Sequence, residues 1–162
     1  MPADDWFASV RNATDGSGAN SLRLVIPADS IAVRNALKSA CDTRLLRSLS
    51  EDALGTAEIV LAEALNNIVE HAYASSTGQI EMSLRRSGQK LSVLITDQGN
   101  PMPEGKLPVG RLPDANEDGL PEGGFGWFLI RSLSEDLRYC RSDGQNHLSF
   151  RLDTGEDAKQ SA

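Results

Sequence analysis

Apolar and polar positions change period several times along the 162-residue chain. Ser21–Ile26 (SLRLVI) alternates, which predicts a strand stopped by Pro27. Asp29 or Ser30 then caps a helix through Ile31, Val33, Leu37 and Ala40. Leu45, Leu46 and Leu49 either continue that helix or form a second short piece. Gly55 and Thr56 precede a stronger helix, Ala57 to about Ala74. Gln79–Arg86 and Lys90–Thr96 alternate again, and Ser87-Gly88-Gln89 joins them as an antiparallel hairpin. No period survives in residues 97–124, a proline- and glycine-rich stretch of the length expected for a lid or binding loop. A third helix from about Phe125 to Ser134 follows. A second hairpin ends the pattern, Asp136–Ser142 and Asn146–Leu152 around a turn at Asp143-Gly144. The order strand, helices, hairpin, loop, helix, hairpin predicts an α+β two-layer sandwich rather than a parallel doubly wound sheet.

Composition narrows the class. Hydrophobic residues make up 40 % and charged residues 24 %, as in a soluble globular chain of one domain. The expected organisation is a loose arm at 1–20, in which Trp6 and Phe7 are placed to dock, a domain at 21–152, and a frayed tail at 153–162. The net charge of −7 argues against a general nucleic-acid binder. Cys41 and Cys140 are far apart and in no metal-ligand spacing, so free thiols in a reducing compartment are expected. No apolar run approaches the roughly 18 residues of a membrane span, and the acidic, polar start lacks an apolar signal core, so the expected location is cytoplasmic.

The chemistry gathers in three segments. In the helix at 57–74, about 100° per residue places Glu63, Glu70, Asn66, Asn67 and His71 on one stripe. Leu61, Leu65, Ile68 and Ala72 fall opposite. The stripe holds no lysine or arginine and sets a carboxylate one turn from a carboxamide. A carboxamide oxygen is a neutral hard ligand for Mg²⁺, and Glu63 is placed to orient or deprotonate a nucleophile beside it. A solvated helix face is the bland alternative. The strand Leu91–Thr96 runs straight into Asp97-Gln98-Gly99, where Asp97 is a turn residue or an acceptor for an adenine amino group, with Gly99 letting a flat ring approach. Gly123-Gly124-Phe125-Gly126-Trp127-Phe128 opens the third helix with backbone amides free for an anion, without the lysine of a P-loop.

In this order the three segments resemble the N-box and the two glycine boxes of the GHKL (Bergerat-fold) ATPase superfamily. The matching residues are Glu63-x-x-x-Asn67-x-x-x-His71-Ala72-Tyr73, Asp97-x-Gly99 and Gly123-Gly124-Phe125-Gly126-x-Phe128-Leu129-Ile130, and the resemblance covers roughly residues 21–152. The chain is most similar to the stand-alone anti-sigma-factor serine/threonine kinases, through His71-Ala72-Tyr73, its short solitary domain and the ending Asp143-Gly144-x-Asn146-x-Leu148-x-Phe150. The resemblance implies a Bergerat fold, a mixed, mostly antiparallel sheet with helices on one face. It implies ATP and Mg²⁺ as cofactors, Asn67 as the metal ligand and Glu63 as general base. Asp97 would accept from the adenine amino group and Gly99 would line the base. His71 would join the nucleotide site, and the amides of Gly123, Gly124, Phe125, Gly126, Trp127 and Phe128 would contact phosphate. Pro101 stands where many members have a further glycine, and Lys106 and Arg111 are lid cations that match no motif.

The same resemblance implies a STAS-type anti-anti-sigma protein as phosphoacceptor, a sequestered sigma factor and a homodimer, with no direct nucleic acid and no membrane. A nucleotide-dependent binding module without kinase activity is the alternative. An ATP hydrolase driving a conformational cycle lacks its transducer domain here. A histidine-kinase reading lacks the dimerisation helices that carry an acceptor histidine.

Overall fold

The computed structural model describes residues 18–110 and 125–155. Its five strands are β1 (Ser21–Pro27), β2 (Gln79–Ser87), β3 (Lys90–Asp97), β4 (Glu135–Ser142) and β5 (Gln145–Asp153). They form one sheet in the order β1-β2-β3-β5-β4, with every neighbouring pair antiparallel. The helices are α1 (Ser30–Cys41), the single turn α2 (Arg44–Arg47), α3 (Glu51–Asn67) and α4 (Phe125–Leu133). The α+β expectation holds. Among the described residues no helix is long and apolar enough to cross a membrane.

Strand alternation decides which face the helices cover. Ile80, Met82 and Leu84 of β2, Leu91, Val93 and Ile95 of β3, and Leu148, Phe150 and Leu152 of β5 are all buried at 4 % exposure or less. They meet Val60, Leu61, Ala64 and Leu65 of α3 in one core. The same period carries two polar residues onto this apolar face, Asp97 at the end of β3 and Asn146 at the start of β5. The register then sets Asp97 opposite Asn146, and Asn146 opposite Arg141 of β4. One end of the helix-covered face therefore finishes in a polar row rather than an apolar one.

Local chemistry sets the helix ends. The Asp29 carboxylate caps α1 by accepting from the Ala32 amide at 2.8 Å. Leu45 and Leu46 belong to a separate turn, because Thr43 starts a new cap. The main helix begins six residues before the expected Ala57. Ser50 accepts from the Ala53 amide at 3.1 Å, and Glu51 and Asp52 complement the positive end. Gly55, expected to precede the helix, lies inside it. The helix also ends differently: α-helical geometry stops at Asn67, and Ile68–Ala72 continues as a π turn closed by the Tyr73 amide on the Ile68 carbonyl.

Two boundaries move. Asp153, expected in the tail, ends β5. Thr154 is fully buried, its amide donating to the Gln89 carbonyl and its own carbonyl accepting from the Ser50 amide. In the expected arm, Asn20 accepts from the Arg86 amide. Trp6 and Phe7, Arg111, Gly123 and Gly124 lie outside the described residues.

Removing the α3 cap tests this start. Ser50→Ala should cost about 1 kcal/mol and lower the melting temperature by roughly 2–4 °C, read by circular dichroism. An unchanged melting curve would place the effective helix start nearer Ala57.

Candidate functional site

A cleft of about 420 Å³ opens where the end of α3, its π turn, the end of β3 and the start of α4 converge. Asn67, His71, Asp97 and Trp127, each named from sequence, line it together. Ile68 and Ala72, expected to face away from the stripe, also contribute to its wall. That apolar wall beside Trp127 suits the faces of a flat ring. A second cleft of about 540 Å³ shares Asp97 but is lined by none of Asn67, His71 and Trp127.

A charge sits at the floor. Asp97 is 4 % exposed. Its Oδ1 accepts from the Gly99 amide at 2.9 Å and from Asn146 Nδ2 at 2.9 Å. Both bonds from described residues end on Oδ1, which leaves Oδ2 as the acceptor for a donor in the cleft. Burial pushes the carboxyl above its ordinary value, while the Asn146 amide, the Gly99 amide and the Arg141 guanidinium oppose that rise.

The metal expectation rests on Asn67. Its Nδ2 is buried with no hydrogen-bond partner. A buried amide without a partner is costly unless something meets it. Amide oxygen and nitrogen are interchangeable by rotation, so the carboxamide can turn its oxygen to the same place. Among the described residues no group of three or more His, Cys, Asp or Glu side chains forms a metal cage. Magnesium needs none, since it keeps waters and phosphate oxygens as most of its ligands. The residues present fit the expected cofactor pair.

Glu63 lies one turn before Asn67, where α4 crosses α3. A Cβ built on Gly126 would run into Glu63 Oε2 and would stand 3.4 Å from Asn67 Nδ2. Glycine at 126 therefore lets the first turn of α4 rest on the carboxylate and carboxamide that were expected to act together. Residues 107–110, the last described before α4, are tied to that helix. Gly110 has φ of +74° and packs on the Phe128 backbone, while Arg131 donates to the carbonyls of Pro108 and Leu107. Phe125 is exposed, and Lys106 is exposed and away from the cleft wall.

Gly99 has a packing role at the end of β3. A Cβ there would stand 2.5 Å from the Ala72 carbonyl oxygen, and the next amide, Asn100, donates to that oxygen at 2.7 Å. The glycine is needed so that the loop after β3 can close on the π turn. Tyr73 completes that junction: its buried hydroxyl donates to the Gln79 carbonyl and accepts from the Gln98 amide, each at 2.9 Å.

Sequence reasoning assigned no role to Asn146, Tyr139 or Arg141. Asn146 Oδ1 accepts from the Tyr139 hydroxyl at 2.6 Å and from Arg141 at 2.8 Å. The available signal was a polar residue in phase with Leu148, Phe150 and Leu152. Neither Cys41 nor Cys140 is in a disulfide, and burial together with Glu58 pushes Cys41 up to about 11, which makes it a poor nucleophile at neutral pH.

Comparison with known proteins places these residues in context. The profile of the histidine kinase-like ATPase domain matches residues 26–152. A Bacillus cereus protein named serine-protein kinase RsbW is 30 % identical over 100 residues, covering 60 % of this chain and 62 % of its own length. The serine/threonine-protein kinase BtrW of Bordetella bronchiseptica is 38 % identical over 92 residues, covering 54 % and 62 %. The chain thus spans under two-thirds of these relatives' length. The solved RsbU and RsbW domains of a Mycobacterium tuberculosis protein share the fold with a TM-score of 0.57 at 15 % identity, covering 82 % of this chain and 32 % of that one.

The Asp97 charge has a stability signature. Its folded pKa is raised above the ordinary 3.8, so the folded chain holds this proton more tightly than the unfolded chain. The contribution is most favourable below pH 3.8 and is lost as pH rises through the folded value. Asp97→Asn keeps the Oδ1 acceptor and removes the charge. It should melt higher than the native chain at pH 7, with the gap closing on acidification. A variant that melts lower at pH 7 would contradict this balance.

Proposed function

The chain belongs to the histidine kinase-like ATPase domain family, and from that premise we propose that it is an ATP-dependent serine/threonine protein kinase of a partner-switching system. The observation that carries the reading is the shared cleft, with a buried carboxylate presenting a free oxygen at one point and, at another, a half-buried carboxamide whose buried Nδ2 has no partner. The names of the similar proteins, RsbW and BtrW serine kinases, support the reaction class.

In this reading Asp97 Oδ2 accepts from the adenine amino group, and Ile68, Ala72 and Trp127 flank the base. Asn67 would hold Mg²⁺ through its amide oxygen. His71 stands at the exposed edge of the same cleft. The amides at Phe125–Phe128, together with those of Gly123 and Gly124, hold phosphate. When bound, ATP would supply the γ-phosphoryl group and leave as ADP, and Mg²⁺ would neutralise the phosphate charge. Glu63 takes the proton from the acceptor serine or threonine hydroxyl. Positioning and charge neutralisation carry most of such a transfer, so little covalent chemistry is asked of the protein.

The acceptor in this proposal is a STAS-type anti-anti-sigma protein, and the chain also sequesters a sigma factor, as a homodimer in the cytoplasm. A second reading has one observation in its favour: among the described residues no lysine or arginine lines the cleft. A binding module that uses ATP only to order its partner surface needs no cation on the γ-phosphate.

Transfer of γ-labelled phosphate from ATP to the STAS protein separates the two. The native chain should label it. Glu63→Ala should lose transfer by about 10²–10⁴-fold while still binding ATP. Asn67→Ala should lose the magnesium dependence of binding as well. Normal ATP binding with no labelled protein would favour the module, and full transfer by Glu63→Ala would remove the assigned base.

A further inference from the structure

The most connected polar side chain in the described core has no part in the proposed transfer. Asn146 is 5 % exposed and lines the cleft from the start of β5, on the strand's apolar side. Its Nδ2 donates to Asp97 Oδ1 and to the Asn100 carbonyl, both at 2.9 Å, and more weakly to the Gly99 carbonyl at 3.4 Å. Its Oδ1 accepts from the Tyr139 hydroxyl and from Arg141. Donors on one end and acceptors on the other fix which end of the amide is nitrogen.

The bonds run in one direction. The Met102 amide donates to the Tyr139 oxygen at 2.9 Å, the Tyr139 hydroxyl donates to Asn146, and Asn146 donates to Asp97. Such a relay ends best on an acceptor that carries charge, because hydrogen bonds to an ionised group are the stronger ones. With Asn146 and the Gly99 amide both on Oδ1, that oxygen is fully engaged, and the chemistry of the site is decided at Oδ2. An ionised Oδ2 accepts from an exocyclic amino group. A protonated Oδ2 donates, and matches a ring carbonyl instead.

We propose that Asn146 is a positioning residue for base selection: by holding Asp97 through Oδ1, it keeps Oδ2 a bare acceptor and so makes the cleft prefer a 6-amino purine over a 6-oxo purine. This rests on the adenine reading of Asp97. Tyr139 acts through Asn146, and Arg141 steadies it by bridging the Asn146 oxygen and the Gly99 carbonyl. Selectivity for the base is therefore set from β4 and β5, on strands that the carboxylate itself does not belong to.

Calorimetric titration with ATP and with ITP, which carries a carbonyl in place of the amino group, tests the assignment. The native chain should bind ATP roughly tenfold or more tighter than ITP. In Asn146→Leu the ATP:ITP ratio should fall toward one. Tyr139→Phe, which keeps the ring and removes one relay bond, should lower it in the same direction by a smaller factor. A purely structural defect would weaken both nucleotides alike and leave the ratio standing. Circular dichroism checks folding, and if Asn146→Leu does not fold, Tyr139→Phe decides the matter. A ratio that collapses in Asp97→Asn and stands unchanged in folded Asn146→Leu and Tyr139→Phe overturns this inference alone. A native chain that binds neither nucleotide, or Asp97→Asn keeping the native ratio, overturns the adenine reading and this inference with it.

Discussion

A carboxylate buried at the end of a strand is the constraint around which this protein is arranged. Taking such a charge out of water is unfavourable unless donors surround it. Asp97 meets that demand with one amide from its own loop and one from a strand two positions away in sequence order, brought opposite by register. The sheet cannot slip by one residue without turning Asp97 and Asn146 to the other face together with the apolar set that leads to them. Burying the core and building the polar row are thus one event.

The second consequence is a junction between sheet and helix. The α3 helix widens into a π turn before it ends, and its last carbonyl, Ala72, is taken by the Asn100 amide of the loop that follows Asp97. Tyr73 ties the same turn to β2 and to the end of β3. The Ala72–Asn100 backbone bond and the Tyr73 hydroxyl therefore bring Asn67 and Asp97 to one cleft, alongside the bonds on the Asp97 carboxylate itself. On the other side, Gly126 lets α4 settle against Glu63 and Asn67. The glycines at 99 and 126 serve as points of close approach, one between loop and helix end, the other between two helices.

Much of this was legible in the residues. Alternation in SLRLVI, QIEMSLRR and KLSVLIT located the strands because one face of each is apolar and buried. The stripe of Glu63, Asn67 and His71 and the strand-terminal Asp97 drew attention because each is a polar residue out of keeping with its neighbours. What escaped depended on the third dimension. The start of α3 was misplaced because Gly55 reads as a breaker, whereas the Ser50 cap and the Thr154 bond outweigh it. The π turn has no periodic signature in five residues. The packing role of Gly99 shows only once Ala72 is placed against it. Asn146 was in plain view at the head of an apolar alternation, but its importance comes from Tyr139 across the hairpin and from Asp97, which sheet order rather than sequence order makes its neighbour.

The proposed kinase needs a nucleotide site in which the purine and the magnesium-bearing phosphates are held by different elements. Calorimetric titration of ATP into the native chain, with magnesium present and with magnesium removed by a chelator, tests that most directly. Saturable binding of one ATP per chain, clearly tightened by the metal, is the expected result. Absence of saturable binding at millimolar nucleotide, or affinity indifferent to magnesium, would contradict it.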